Sequence, residues 1–194
     1  MSEPRRHPQD ALNYYGHGPL IHLERHLCII GHRGSEYHKA VRYLGALLGL
    51  HYVILDEAVA HALGEPPLTF IEREGLGRYR RIEAKQLSAL LTRTPCGLIA
   101  VSSDVLSGRW TRFWTQQRST TVWLNLESKA LVANVKADRQ NYPGLPSFLT
   151  EAAYTRYLDG TWKGGGASLT IEVSDSHPSK IAEQIMVSMG WSVG

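Results

Sequence analysis

Short unbroken apolar runs alternate with longer amphipathic stretches from residue 27 almost to the end of the chain. Leu27–Ile30 ("LCII") has no polar face, which suits a strand covered on both sides. His38–Leu50 then spaces its apolar residues at three- and four-residue intervals, the period of a helix with one buried stripe. The alternation continues with strand Tyr52–Leu55, helix Asp56–Leu63, a break at "GEPP", and helices Leu68–Glu74 and Leu76–Thr92. Strand Leu98–Val101, a helix around Arg109–Gln116 and strand Thr121–Leu126 come next. A helix from Ser128, a loop around "DRQNYPGLP", a helix over 147–158, strand Leu169–Val173 and helix Ser179–Met189 complete the series. Five short apolar strands separated by helices predict an α/β domain of three layers, with a parallel sheet between two layers of helices. Residues 1–25 carry Pro, Gly and His without a sustained period and predict an irregular arm ahead of a domain over 26–194.

Composition narrows the function classes. The 194 residues are most simply one domain, 43% apolar and 20% charged, an ordinary balance for a soluble protein. No apolar run approaches the length of a membrane span and the N-terminus lacks a signal-peptide stretch, so a cytoplasmic protein without a membrane partner is expected. The two cysteines, Cys28 and Cys96, each border an apolar strand and read as small core residues in a reducing compartment. A formal charge of +3 forms no basic block, leaving no electrostatic case for nucleic acid. The histidines at 22, 26, 32, 51 and 61 show no ligand spacing, so neither a metal nor a cofactor is expected. Trp110, Trp114 and Trp123 read as core and helix-face aromatics, and "KGGGAS" as a flexible insertion before the last strand.

The first strand runs into "GHRGSEYHK", and strand, Gly-rich turn and helix together have the frame of a phosphate-cradling loop, GxxxxGK[ST]. Gly31 and Gly34 are present, but Glu36, Tyr37 and His38 stand where that pattern has Gly, Lys and Ser/Thr. A carboxylate at Glu36 faces the negative charge of a triphosphate, and its Cβ crowds the approach of phosphate to the backbone. Tyr37 supplies no ammonium. Lys39 lies two residues later, about 200° around a helix from that position.

Several stretches in series give the chain a resemblance to the shikimate kinase family. "IIGHRG" resembles the family's first strand and loop, and "HYVILDEAV" its "PFIDLDELI". "FIEREGLGRYRRIEAKQL" resembles "FxxEGExxFRxxExxxL", and "LIAVSSDVL" stands where the family has "VIATGGGAV". "TTVWLNLE" and "SDSHPSKIAEQI" resemble the strand, loop and helix that close the fold. The resemblance implies the small P-loop kinase architecture with a five-stranded parallel sheet. It also implies where the chain departs. The family's Mg²⁺-linked Asp aligns with Ile54, its Gly-Gly-Gly turn with Ser102, Ser103 and Asp104, and its lid arginine with Tyr142. On the acceptor side it implies that Asp56 meets ring hydroxyls. Arg80, supported by Glu83, and Arg156 would hold a carboxylate as guanidinium forks.

Each of these residues has a plainer structural reading. Asp56 stands at a helix start and can serve as a cap, Arg80 and Glu83 are a helical i,i+3 pair, and Arg156 lies at an amphipathic helix end. Glu36 and His38 are solvent-facing side chains if the loop has drifted. The expectation is therefore a shikimate kinase-like protein without ATP-dependent phosphoryl transfer that binds a small cyclic carboxylic acid, shikimate-like or aromatic. It would act as a ligand-binding module, like the shikimate kinase-like domains of benzoyl-coenzyme-A-responsive and quinate-pathway repressors, the former of which "GRYRRIE" resembles. Residues 1–25 are too short for a helix-turn-helix, so a regulator calls for a protein partner, with a homo-oligomer left open. A second expectation is ATP-independent lyase or isomerase chemistry, with Glu36, His38 and Asp104 as acid/base groups. The alternative is a working, divergent shikimate kinase that meets phosphate through Arg33, Lys39 and Arg139.

Overall fold

The computed structural model describes residues 21–137, 150–174 and 177–191. Arg139 and Tyr142, with the rest of the expected lid and residues 1–20, lie outside them. Strand β1 (His26–Gly31) is the middle of the sheet, and helix α1 (Tyr37–Leu48) follows it. Then come β2 (Tyr52–Ile54), α2 (Leu55–Leu63), α3 (Pro67–Glu74), α4 (Leu76–Leu90) and β3 (Leu98–Ser102). A single 3₁₀ turn (Val105–Ser107) leads into α5 (Arg109–Arg118), β4 (Ser119–Asn125) and α6 (Ser128–Ala137). The chain closes with α7 (Glu151–Asp159), β5 (Leu169–Glu172) and α8 (Pro178–Ser188). The five strands lie in the order β2-β3-β1-β4-β5 and every pair is parallel. Parallel neighbours cannot be joined by a tight turn, so each connection crosses a face of the sheet and covers it.

The apolar run of β1 follows from that geometry. Leu27 and Ile29 point into a core shared with Ala40, Val41 and Leu44 of α1 and Ile181 and Ile185 of α8. Cys28 and Ile30 point to the opposite core, with Val59 of α2 and Tyr79 and Leu87 of α4. Helix α1 buries Tyr37, Ala40, Val41, Leu44 and Leu48, and stops at Gly49, whose φ of 65° is left-handed. Each fully buried Leu or Ile here contributes roughly 1.5–3 kcal/mol by leaving water.

Some expectations need correction. Strand β4 begins at Ser119, ahead of the apolar run, because its buried polar side chains find partners: Ser119 Oγ donates to Thr115 O at 2.6 Å, and Thr121 meets Ser168. The end of the arm is irregular but docked, with the half-buried Ile21 and Leu23 packed against the core and Arg25 donating to the Gln117 carbonyl. Cys28 is buried, and burial pushes its thiol up to about 12, but Cys96 is only half-buried. The stretch Lys163–Ser168 is a pinned turn: Gln116 Nε2 and Trp162 Nε1 both donate to the Gly165 carbonyl, and Gly164 packs against Trp123 so closely that a Cβ would stand 2.5 Å from its ring. Trp123 is a core residue, whereas Trp110 is 73% and Trp114 46% exposed. Among the described residues no helix is long and apolar enough to cross a membrane.

Candidate functional site

The site forms at the C-terminal edge of the sheet, above the ends of β1 and β3, where connections leave toward different neighbours and open α/β sheets bind ligands. The loop after β1 is held on every side. Ser103 N donates to Gly31 O and Ser35 N to His32 O, both at 2.9 Å. Asn134 Nδ2 of α6 donates to Gly34 O at 2.8 Å, and the Tyr154 hydroxyl of α7 donates to the Arg33 carbonyl. Gly34 has a φ of 92°, and a Cβ there would stand 2.5 Å from Leu131 O, so only glycine fits.

Glu36 is the only non-glycine residue at positive φ among the described residues, at φ 58° and ψ 19°. This is the second glycine position of the GxxxxGK[ST] pattern. The backbone has the left-handed turn that the pattern uses glycine for, but carries a carboxylate in it, at a cost of order 1 kcal/mol. The Glu36 side chain is buried and pairs with Lys39 Nζ at 2.7 Å. Tyr37 is fully buried, and its hydroxyl donates to Asp56 Oδ2 at 2.8 Å. The His38 ring stands edge-on to Tyr37, with centroids 5.5 Å apart.

The centre of the site is Asp104, in the turn after β3. Arg33 Nε from the β1 loop donates to its Oδ2 at 2.8 Å, Arg80 Nη2 from α4 meets the same oxygen at 3.0 Å, and the Tyr157 hydroxyl from α7 donates to Oδ1. Burial alone would push this carboxyl up, but the two guanidinium groups and the hydroxyl outweigh it and hold it at about 2. Asp104 is thus ionised throughout the physiological range. Burial works against the charge on Arg33 and Arg80, but Asp104 keeps both fully protonated. Arg80 Nη1 also donates to Glu83 Oε2 at 2.7 Å. Burial pushes the Glu83 carboxyl up, against the opposing pull of Arg80.

Two polar atoms at this cluster are buried without a hydrogen-bond partner among the described protein atoms, Glu83 Oε1 and the Tyr79 hydroxyl. The Tyr79 hydroxyl feels the fields of Glu83, Asp56, Arg33 and Arg80, so it lies among the site's charges. Beneath the loop, His32 Nδ1 bonds Ser103 Oγ at 2.7 Å and its ring packs edge-on against Trp123. Burial pushes the His32 imidazole down to about 4, with Asp104 opposing, so it is neutral near pH 7.

The structure therefore brings together Asp56, Arg80, Glu83 and Asp104, with Tyr37 as the link from the loop. Arg156 is not among them. It is exposed on α7, with its Nε directed at Ala152 O of its own helix, because Tyr154 and Tyr157 occupy the face of α7 that meets the loop. The second guanidinium is Arg33, read from sequence only as a phosphate-facing cation. The Tyr154/Tyr157 pair went unread, although an i,i+3 spacing of tyrosines beside Leu158 marks a buried helix face. A separate cavity of about 480 Å³ between β5 and α8 holds a Lys180–Glu183 pair and lies on another part of the sheet.

A family model described as shikimate kinase matches residues 39–189. Curated relatives include the shikimate kinases of Synechococcus sp. (strain CC9605), 24% identical over 84% of this chain and 81% of the relative, and of Bradyrhizobium diazoefficiens, 25% identical over 85% and 79%. Among solved structures, shikimate kinase from Acinetobacter baumannii in complex with shikimate superposes with a TM-score of 0.76 at 20% identity, covering 94% of this chain and 98% of that one. The Aquifex aeolicus enzyme gives 0.67 at 16% identity, covering 85% and 96%.

Proposed function

This chain belongs to the shikimate kinase family, and from that premise we propose that it binds a small cyclic carboxylic acid beside Arg80 without transferring phosphoryl groups from ATP. The observation that carries the reading is the Arg80 guanidinium beside Glu83, whose Oε1, like the Tyr79 hydroxyl on the same helix, is buried without a partner among the described protein atoms. A buried polar atom without a partner costs about 1–3 kcal/mol, which a ligand hydroxyl can recover. A ring carrying a carboxylate and hydroxyl groups matches both features.

Asp104 gives the site its chemistry. Its carboxylate occupies Arg33 and Arg80, which supports a guanidinium geometry suited to a carboxylate. An incoming acid takes Arg80 Nη2 in exchange for Asp104 Oδ2, while Arg33 and Tyr157 keep Asp104 neutralised. Such an exchange gives modest affinity, because one charge-assisted bond is lost for each one made. Binding is favoured over turnover because Asp104 is locked ionised and Glu36 is tied to Lys39, which leaves neither poised to move a proton.

The residues present do not fit Mg²⁺·ATP. Glu36 puts a carboxylate in the triphosphate cradle, Tyr37 turns its hydroxyl to Asp56, and Lys39 is engaged by Glu36. The opposing reading, a working kinase, is favoured by two features: the loop keeps the required backbone turn, and the curated relatives that the chain matches are shikimate kinases.

Titration calorimetry with shikimate, benzoate and ATP·Mg²⁺ tests this. Heat is expected with a cyclic acid and none with the nucleotide; micromolar ATP·Mg²⁺ binding, or phosphorylated product in a coupled assay, overturns the reading. Tyr79→Phe removes only the partnerless hydroxyl. It should leave unfolding stability unchanged or slightly higher while weakening acid binding by about 1 kcal/mol. Equal weakening of stability and binding would assign Tyr79 a purely structural role.

A further inference from the structure

Helices α4 and α5 form a face that the site above does not use. On α5, Trp110, Phe113 and Trp114 are 73%, 46% and 46% exposed. Between the helices runs a groove of about 130 Å³, floored by Leu87 and Leu91 of α4 and its C-terminal turn and walled by Trp110 and Trp114. From Gly75 to Leu126 the acidic residues are Glu83 and Asp104 alone, and both are buried against Arg80. Over the same stretch Arg81, Lys85, Arg93, Arg109 and Arg118 are exposed. Arg25 adds a further cation at the C-terminal end of α5, where it donates to Gln117 O. On the packed neighbour α3 and just before it, Glu74 and Glu65 are held by Arg73 and Arg78, and Glu72 is an exposed carboxylate. Exposed cations thus outnumber exposed carboxylates on α4, α5 and the turn that follows α4, with Arg118 lying over Trp114 itself.

We propose that this face docks an acidic amphipathic helix of a partner protein. A groove between two helices accepts the apolar stripe of a third, with side chains at i and i+4 entering it and carboxylates meeting the flanking arginines. The groove is smaller than the roughly 300–1,000 Å³ of small-molecule sites, and suits one or two apolar side chains. Single-stranded nucleic acid fits less well. Bases need parallel ring platforms in series, whereas Trp110 and Phe113 cross at 88° and Phe113 and Trp114 at 73°. The Arg118 guanidinium also covers Trp114, 5.1 Å from its ring centroid. The rings are packed against each other as a ridge, with Trp110 as its outermost knob.

The test uses the full chain and a fluorescein-labelled synthetic helix with Leu at i, i+3, i+4 and i+7 and Glu elsewhere, compared with a scrambled peptide of the same composition and an oligo-dT of similar charge. Fluorescence anisotropy should show binding of the patterned peptide about tenfold or more tighter than of the scramble, weakening with salt. Trp110→Ala should lower that affinity about tenfold, and Arg109→Glu with Arg118→Glu should abolish it, with the far-UV circular dichroism of each variant unchanged. Equal binding of the scramble, tighter binding of oligo-dT, or indifference to Trp110→Ala overturns the proposal. So does a sedimentation profile in which this chain dimerises and Trp110→Arg returns it to monomer.

Discussion

In an Asp104→Asn variant the guanidinium groups of Arg33 and Arg80 face a neutral amide of the same shape. Removing one partner of a buried ionic cluster typically costs about 3–5 kcal/mol, and urea unfolding at neutral pH should show a loss of that size. The pH dependence separates two residues. The folded-state pKa of Asp104 lies at about 2, below its ordinary 3.8, so its stabilisation is complete above pH 3.8 and is lost as pH falls through 2. That of His32 is lowered from 6.5 to about 4, so unfolding takes up a proton between those values, and stability declines as pH drops across that window. Glu83 is shifted the other way and offsets part of the slope just above its ordinary 4.5. The comparison is therefore between wild type and His32→Asn: the variant should lack the wild-type decline between pH 6.5 and 4 and keep the steeper acid loss below it. Parallel curves down to pH 4 would mean that His32 is protonated in the folded protein.

The β1–α1 loop shows at the scale of an element what sequence can and cannot convey. Its frame was legible, because a glycine at 34 between an apolar strand and an amphipathic helix implies a tight turn. Its conformation was not, because Glu36 is a poor residue for a left-handed φ and nothing local announces that its neighbours hold it there. Replacing Glu36 by Gly and by Ala separates shape from charge. Both lose the pair with half-exposed Lys39, which is worth little, yet Gly alone relieves the backbone. Glu36→Gly should exceed Glu36→Ala in stability by about 1 kcal/mol, read as a shift in denaturation midpoint. Equal midpoints would show that residue 36 leaves the left-handed region. Helix α5 repeats the lesson for aromatics: its Trp-rich sequence looks like core, but only Thr115 is buried, because β4 and the 3₁₀ turn meet its small side.

For the whole molecule, the strands and their parallel pairing followed from runs such as Leu27–Ile30 and Leu98–Val101, whose two apolar faces require cover above and below, whereas the order in which they lie did not. The convergence at Asp104 did not follow, because it joins residues 33, 80, 104 and 157, which lie far apart in the chain and carry no shared spacing. The choice of Asp56 and Arg80 as site residues was reachable only through family resemblance; in the fold Asp56 meets the Tyr37 hydroxyl, and Arg80 meets Glu83 and Asp104. Arg33 was legible only as a loop cation facing phosphate, because nothing in its neighbourhood along the chain points to Asp104, 71 residues away. One consequence concerns motion. Four segments from different layers are fastened at a single carboxylate, so an acid that detaches Arg80 from it releases α4 from the β1 loop and α7. Binding of an acid at Arg80 would then be felt as a change in amide exchange along α4 and residues 31–36, well beyond the atoms that the acid itself touches.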